Sequence, residues 1–188
     1  TDDGFMQRGV SIWDALGISK IGQFYVTGEA ETGSISHEIL AGLDMSDKDY
    51  YADWMQGGTL GDATFNIYNP VYGTIAASEL PVYDRSTSIQ ERGVHYNQQY
   101  TAFYAQDELG FLQNMVRLTL AGRYTEAENI NPYAGETKDK KLTPRVGVSV
   151  SLDRQTSFYG LYDQAFLPNP GRDFQGNSFD PVTGSNME

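Results

Sequence analysis

The chain has 188 residues, enough for one or two ordinary domains. Its 13 Lys+Arg against 25 Asp+Glu leave a net charge of −12, which argues against nucleic-acid phosphate as a partner. There is no cysteine, which excludes disulfides, thiolate nucleophiles and Cys-based metal sites, and no run approaches the ~18 apolar residues of a transmembrane helix.

In chain order, Thr1-Asp2-Asp3-Gly4 has neither the basic nor the apolar region of a signal peptide, so none is expected there. Gln23–Glu31 alternates, with Phe24, Val26, Gly28 and Ala30 set against Gln23, Tyr25, Thr27 and Glu29. Ile35–Met45 sets Ile35, His37, Ile39, Ala41, Leu43 and Met45 against Ser36, Glu38, Gly42 and Asp44. Tyr96–Leu109 also reads as strand, but Tyr100, Ala102 and Tyr104 compete with Phe103, Ala105 and Leu109 for its apolar face. Met115–Glu126 opposes Val116, Leu118, Leu120, Gly122 and Tyr124 to a polar row carrying Arg117 and Arg123. Arg145–Leu152 opposes Val146, Val148, Val150 and Leu152 to Arg145, Gly147, Ser149 and Ser151. Thr156–Phe166 follows a turn at Asp153-Arg154-Gln155, which sets Val150 opposite Phe158 and Val146 opposite Tyr162. A period of two is a strand's period; a helix would mix these sets.

The links near 31–34, 110–114 and 153–155 are short, whereas those near 52–92, 130–141 and 168–188 are long and rich in Gly, Asn, Asp, Pro and Tyr. In an up-and-down meander all the long loops share one rim, the arrangement of outer-membrane barrels. A soluble sugar-binding β-sandwich, its tyrosines acting as stacking platforms, shows the same alternation. Strand length and uncharged centres in the five clear apolar rows favour the barrel, since a tilted membrane strand needs ~10 residues.

Several segments carry a family resemblance. Ser36-His37-Glu38-Ile39-Leu40-Ala41-Gly42-Leu43-Asp44 resembles the "H-x-L-L-x-G-x-D" strand of TonB-dependent ferric-siderophore receptors, those of ferrichrome type above all. Asn69-Pro70-Val71-Tyr72-Gly73 resembles their "NPVYG" loop, and Tyr104-Ala105-Gln106-Asp107 their "Y-x-Q-D" strand. Leu118–Tyr124 is similar to "L-x-G-G-R-Y-D", with Thr125 where the family usually has Asp. Thr143–Gly147, Phe158–Tyr162 and Phe166–Asn169 resemble the next hairpin, and Phe179–Gly184 an "F-x-P-x-x-G" loop. These motifs keep the family's order from about residue 22 onward, whereas the first ~20 residues match little and are expected to end an extracellular loop.

The expected fold is therefore all-β: an antiparallel up-and-down meander of about six long strands, an unclosed part of a transmembrane β-barrel of the roughly 22-strand class. The 188 residues read as an internal barrel piece without plug domain or TonB box, unable to transport alone and prone to aggregate if left bare in water. The resemblance implies uptake of a ferric siderophore across the outer membrane of a Gram-negative bacterium. Its partners would be the siderophore, the TonB complex acting through a plug, and outer-membrane lipid. Another nutrient receptor, for cobalamin or an oligosaccharide, and a porin-like channel are the membrane alternatives.

The loop 52–91 is the expected ligand site. It holds Trp54, Phe65, Tyr68, Tyr72 and Tyr83, with Asp53, Asp62, Glu79, Asp84 and Glu91 against the single Arg85. Aromatic faces with little positive charge suit a neutral or cationic chelate, hence a hydroxamate-type siderophore rather than an anionic catecholate. Loop packing or an interfacial girdle would use the same aromatics. Arg117, Arg123 and Arg145 share the expected lumen face, where they meet plug carboxylates or those of neighbouring strands. His37 and His95 lie on different strands, and Asp44–Asp49 lacks the glycine and distal Glu of a calcium loop, so no metal site or cofactor is expected and iron enters only as cargo. No nucleophile motif or phosphate loop appears, so no enzyme is expected.

Overall fold

The computed structural model describes residues 3–169 and 171–188, with the backbone alone at 62–64. Its strands are β1 (Phe5–Ser11), β2 (Asp14–Thr32), β3 (Ile35–Asp53), β4 (Gly57–Asn66), β5 (Val94–Phe111), β6 (Val116–Asn131), β7 (Gly135–Ser151), β8 (Ser157–Leu167) and β9 (Val182–Met187). Seven of them form one sheet in the order β2-β3-β5-β6-β7-β8-β9, and β1 pairs with β4 in a separate ribbon. Contacts group the chain into two compact units: residues up to Ile18 with Tyr50–His95, and Ser19–Asp49 with Tyr96–Glu188.

In the second unit the alternation becomes one aligned surface. Val116, Leu118 and Leu120 of β6 stand opposite Val150, Val148 and Val146 of β7, which stand opposite Phe158, Gly160 and Tyr162 of β8. The expected Val150/Phe158 register is therefore present, and Asp153 Oδ1 closes its turn by accepting from the Gln155 and Thr156 N–H groups at 2.8 Å. The ambiguous strand is resolved as well. Phe103, Ala105, Leu109 and Phe111 face Tyr124, Gly122, Leu118 and Val116, which sends Tyr100, Ala102 and Tyr104 to the polar side. Its apolar row also holds a carboxylate, because Asp107 stands opposite Leu120.

Among the described residues this apolar surface stays largely exposed. Phe24 is 68% exposed, Phe103 58%, Val146 43%, Val148 45% and Phe158 63%. Among the described residues the buried hydrophobics are only Ala52, Ala102 and Ala127. A β-sandwich would press such rows into a core, whereas this sheet leaves its greasy side exposed.

Several expected boundaries are corrected. Residues 1–20 are not simply the end of a loop, since they contain β1 and the start of β2. The loop expected at 130–141 is a strand extension, with only residues 132–134 between β6 and β7. It persists because Glu126 faces Lys140 and Glu128 faces Lys138, ion-paired at 2.8 and 3.2 Å, so polar alternation pairs as well as apolar alternation does. Likewise the loop at 168–188 contains β9, with Val182 opposite Leu167 and Met187 opposite Tyr162.

In the first unit, β1 and β4 pair from Phe5↔Asn66 to Ser11↔Gly57, with a bulge near Gln7. The Gln7 amide fills that irregularity by donating to the Leu60 and Gly61 carbonyls at 3.1 and 3.0 Å. The short helix α1 (Ile89–Arg92) begins in a capping box between Ser88 and Glu91. The expected long loop at 52–92 is thus a ribbon strand and short helical turns rather than irregular chain throughout.

Candidate functional site

Two groups of side chains have the chemistry of a site, one in each unit. In the first unit an ionic network gathers residues far apart in sequence. Arg85 grips the Asp14 carboxylate with Nε and Nη2 at 2.7 and 3.0 Å. Arg92 bridges Asp14 and Asp53 at 2.9 and 3.1 Å, and also donates to the Thr87 carbonyl. The Gln56 amide reaches Asp53 at 2.7 Å and the Asp84 carbonyl at 2.8 Å, while its oxygen accepts from the Asp84 N–H at 2.6 Å.

These contacts set the charge state of the network, which lies outside the apolar rows. The Arg85 hydrogen bond holds the Asp14 carboxyl below its usual range, and Gln56 with the Met55 N–H and Arg92 does the same for Asp53. Asp84 is held down by Ser86, whose N–H donates at 2.8 Å. Both arginines of the network are matched by carboxylates.

Beside the network sits an aromatic surface. Trp13 and Trp54 meet at 5.6 Å with a 55° tilt, and the Trp13 indole N–H donates to the Tyr50 hydroxyl at 3.2 Å. Trp13 keeps 71% of its surface exposed, so a flat apolar face remains open to a ligand.

The four expected ligand aromatics do not converge through their ring contacts. Trp54 joins Trp13, whereas Tyr83 lies under the Arg85 guanidinium at 5.9 Å. Tyr72 tilts against Phe65 at 5.9 Å, and Phe65 is capped by Arg8 at 4.4 Å. Tyr68 lies over Gly4, where a Cβ would come within 2.4 Å of its ring. Sequence reading passed over Trp13, Tyr50, Asp14 and Arg92. One signal was available: the chain has only two tryptophans, and they are this pair.

In the second unit, the polar face carries the three arginines, each matched by a carboxylate. Arg117 reaches Glu108 at 3.4 Å, Arg123 reaches Asp44 at 2.6 Å, and Arg145 reaches Asp163 at 3.1 and 3.2 Å. Arg123 also lies 5.7 Å from the centre of the Tyr104 ring. Tyr104 crosses β3 because residue 42 is glycine, a Cβ there coming within 2.4 Å of the ring. Ser46, Tyr100, Arg123, Thr143, Arg145 and Asp163 line an open groove of about 640 Å³ on this face.

With this geometry in place, comparison with known proteins is specific. The family model for TonB dependent receptor-like β-barrels matches residues 6–188. The chain is 28% identical over 166 residues to the ferrioxamine B receptor of Salmonella typhimurium (strain SL1344), covering 86% of this chain and 22% of that protein. It is 26% identical over 183 residues to the metal-pseudopaline receptor CntO of Pseudomonas aeruginosa (strain PAO1), covering 89% and 24%. Among solved structures, BauA, the ferric preacinetobactin receptor of Acinetobacter baumannii, matches the whole chain (100%) over 28% of its own length, with a TM-score of 0.71 and 19% identity. The siderophore receptor PiuA of the same organism matches 94% of this chain and 29% of its own, with a TM-score of 0.58 and 16% identity. These structural likenesses concern the fold, and the chain spans between 22% and 29% of these relatives' lengths.

Proposed function

The chain belongs to the TonB-dependent receptor-like β-barrel family, and from that premise we propose that it supplies barrel wall and ligand-capturing loops to a receptor for ferric-siderophore uptake. Members of this family are outer-membrane proteins of Gram-negative bacteria. The observation that carries the reading is the in-register apolar surface left bare on one face, backed on the other by arginine–carboxylate pairs. Hydrocarbon lipid covers the first face, and the second lines a watery lumen that holds a plug. In that lumen Arg117, Arg123 and Arg145, braced by wall carboxylates, offer their remaining N–H donors to the plug, which TonB rearranges to release the cargo.

The ligand is a ferric chelate of hydroxamate type, bound in part on the Trp13–Trp54–Tyr50 surface, with Tyr68, Tyr72 and Tyr83 contributing from neighbouring segments. Supporting this, the nearby arginines are engaged by Asp14 and Asp53 and leave little charge to attract a multiply anionic catecholate. The test is titration of the complete receptor in detergent with ferric tris-hydroxamate and ferric tris-catecholate complexes, followed by Trp54→Ala. Hydroxamate preference with about tenfold weakening in W54A is expected, one aromatic stacking contact being worth roughly 1 kcal/mol or slightly more. A clear preference for the catecholate overturns the ligand class.

A further inference from the structure

Two turns on one rim of the second unit's sheet are built to the same plan. β6 runs into β7 through 132–134 and β8 into β9 through 168–181, and in an antiparallel meander these alternate junctions open on the same side. In the first, Asn131 Oδ1 accepts from the Tyr133 and Ala134 N–H groups at 2.9 and 3.2 Å. In the second, Asp173 Oδ1 accepts from the Gln175 and Asn177 N–H groups at 2.9 and 2.8 Å, and its Oδ2 from the Asn177 amide at 3.0 Å. Main-chain bonds close the same turn, from the Asp173 N–H to the Asn177 carbonyl at 2.9 Å and from the Gly176 N–H to the Asp173 carbonyl at 3.0 Å. A side chain that bonds the backbone just ahead of it fixes a turn locally.

One arginine joins the two turns. Arg172 donates from Nε to the Ala134 carbonyl, from Nη2 to the Glu136 carbonyl at 2.7 Å and from Nη1 to the Gly176 carbonyl at 2.8 Å. Its planar fork thus holds the β6–β7 tip and its own turn together, a geometry that the single ammonium of a lysine does not reproduce. The base of the second turn is closed as well. Arg172 and Ser178 form a backbone bridge, and Phe179 lies over Gly171, where a Cβ would come within 2.9 Å of its ring.

What this bracing holds out is aromatic. Phe174, next to Asp173, is 95% exposed, and Tyr133, in the other turn, is 66% exposed with its ring 6.4 Å from that of Tyr96. On a slack loop a phenylalanine folds down onto the nearest apolar surface; here the hydrogen bonds fix the backbone direction and keep the ring in water. An anchor already held in place spares a complex the cost of ordering it on binding. The connection that carries Phe174 sets out from Phe166, Leu167 and Pro168, which line the open groove on the polar face.

We propose that these stapled turns are a second contact surface for the ferric chelate, formed by residues other than Trp13, Trp54 and Tyr50, in which Phe174 stacks on the apolar periphery of the ligand and Arg172 is a positioning residue. This rests on the receptor reading but not on the hydroxamate class, because an aromatic face meets the apolar parts of either chelate. In the complete receptor in detergent, ferric tris-hydroxamate and ferric tris-catecholate complexes are titrated against the parent, F174A, F174W, R172K and R172K/F174A, with urea unfolding run in parallel. For whichever complex the parent binds, F174A is expected to weaken binding about tenfold at an unchanged urea midpoint, one aromatic contact being lost, and F174W to retain it. R172K is expected to weaken binding in the parent background and to add nothing in F174A, since the staple acts only through the ring it positions. Unchanged affinity in F174A overturns the proposal. So does a lowered urea midpoint in F174A, which would mark the ring as packed within the receptor. Additive losses in R172K/F174A overturn the positioning role. A parent that binds neither complex overturns the receptor reading and this inference with it, whereas a parent that binds while F174A is unchanged overturns this inference alone.

Discussion

Val146→Arg is the sharpest test of which face meets lipid. Val146 lies at the middle level of the apolar surface, between Leu120 and Tyr162 and flanked along β7 by Val150 and Leu142. Four residues separate it from either end of the row; at about 3.3 Å per residue and a tilt near 40°, its Cα sits on the order of 10 Å from each boundary. An arginine there lies too deep to reach water without distorting the bilayer, at a cost of about 2–4 kcal/mol. Each 1.4 kcal/mol is about a factor of ten, so the folded-to-unfolded ratio should fall roughly 30- to 1,000-fold. The control is Thr119→Lys, on the polar face opposite Glu108 and Gly147, where a cation gains a carboxylate neighbour. Refolding of the complete receptor into lipid vesicles against urea, read by the mobility of unboiled samples, gives both values. If V146R matches the parent protein, or T119K is equally damaging, the assignment of lipid to the valine row is wrong.

Further outcomes follow from named contacts. Gly42→Ala should destabilise the receptor by about 1–3 kcal/mol in the same assay, because its Cβ meets both Tyr104 and the Phe24 carbonyl, and Tyr104→Ala should restore only part of the loss. Arg92→Ala removes the shared partner of Asp14 and Asp53 and should speed proteolysis of residues 54–93 while leaving strand pairing intact, as read by limited digestion. Asp14, Asp53 and Asp84 are held below their ordinary value of 3.8, so their contribution is complete above that value and lost as pH falls through the lowered folded values. Digestion of the same segment should therefore be flat from pH 7 to about 5 and accelerate only well below pH 4.

Much of the wall was legible without coordinates. Alternation placed Val116–Tyr124 and Val146–Val150 on one face, and the short turn at 153–155 fixed Val150 against Phe158. Both are local facts: the period of a strand and the length of a turn. Beyond the apolar rows the same reading faltered. Residues 126–131 and 135–140 are rich in charged and polar groups, which look like loop until Glu126 and Lys140 are seen to face each other.

The site was less legible. Trp54 and Arg85 stood out by composition, but Trp13, Asp14 and Arg92 acquire meaning only when 78 residues of separation close into a 2.9 Å ion pair. The β5 register was hidden for a related reason, since Tyr104 is apolar by type yet turns to the polar face over Gly42, while Asp107 is a carboxylate yet sits opposite Leu120 and beside His37. Sequence by itself determined which face is greasy in five of the six expected strands, because side-chain direction alternates with every residue whatever the partner. Only the tertiary structure decided which distant strands meet and in what register, because across a long connection closure entropy changes little with length and the choice falls to individual contacts.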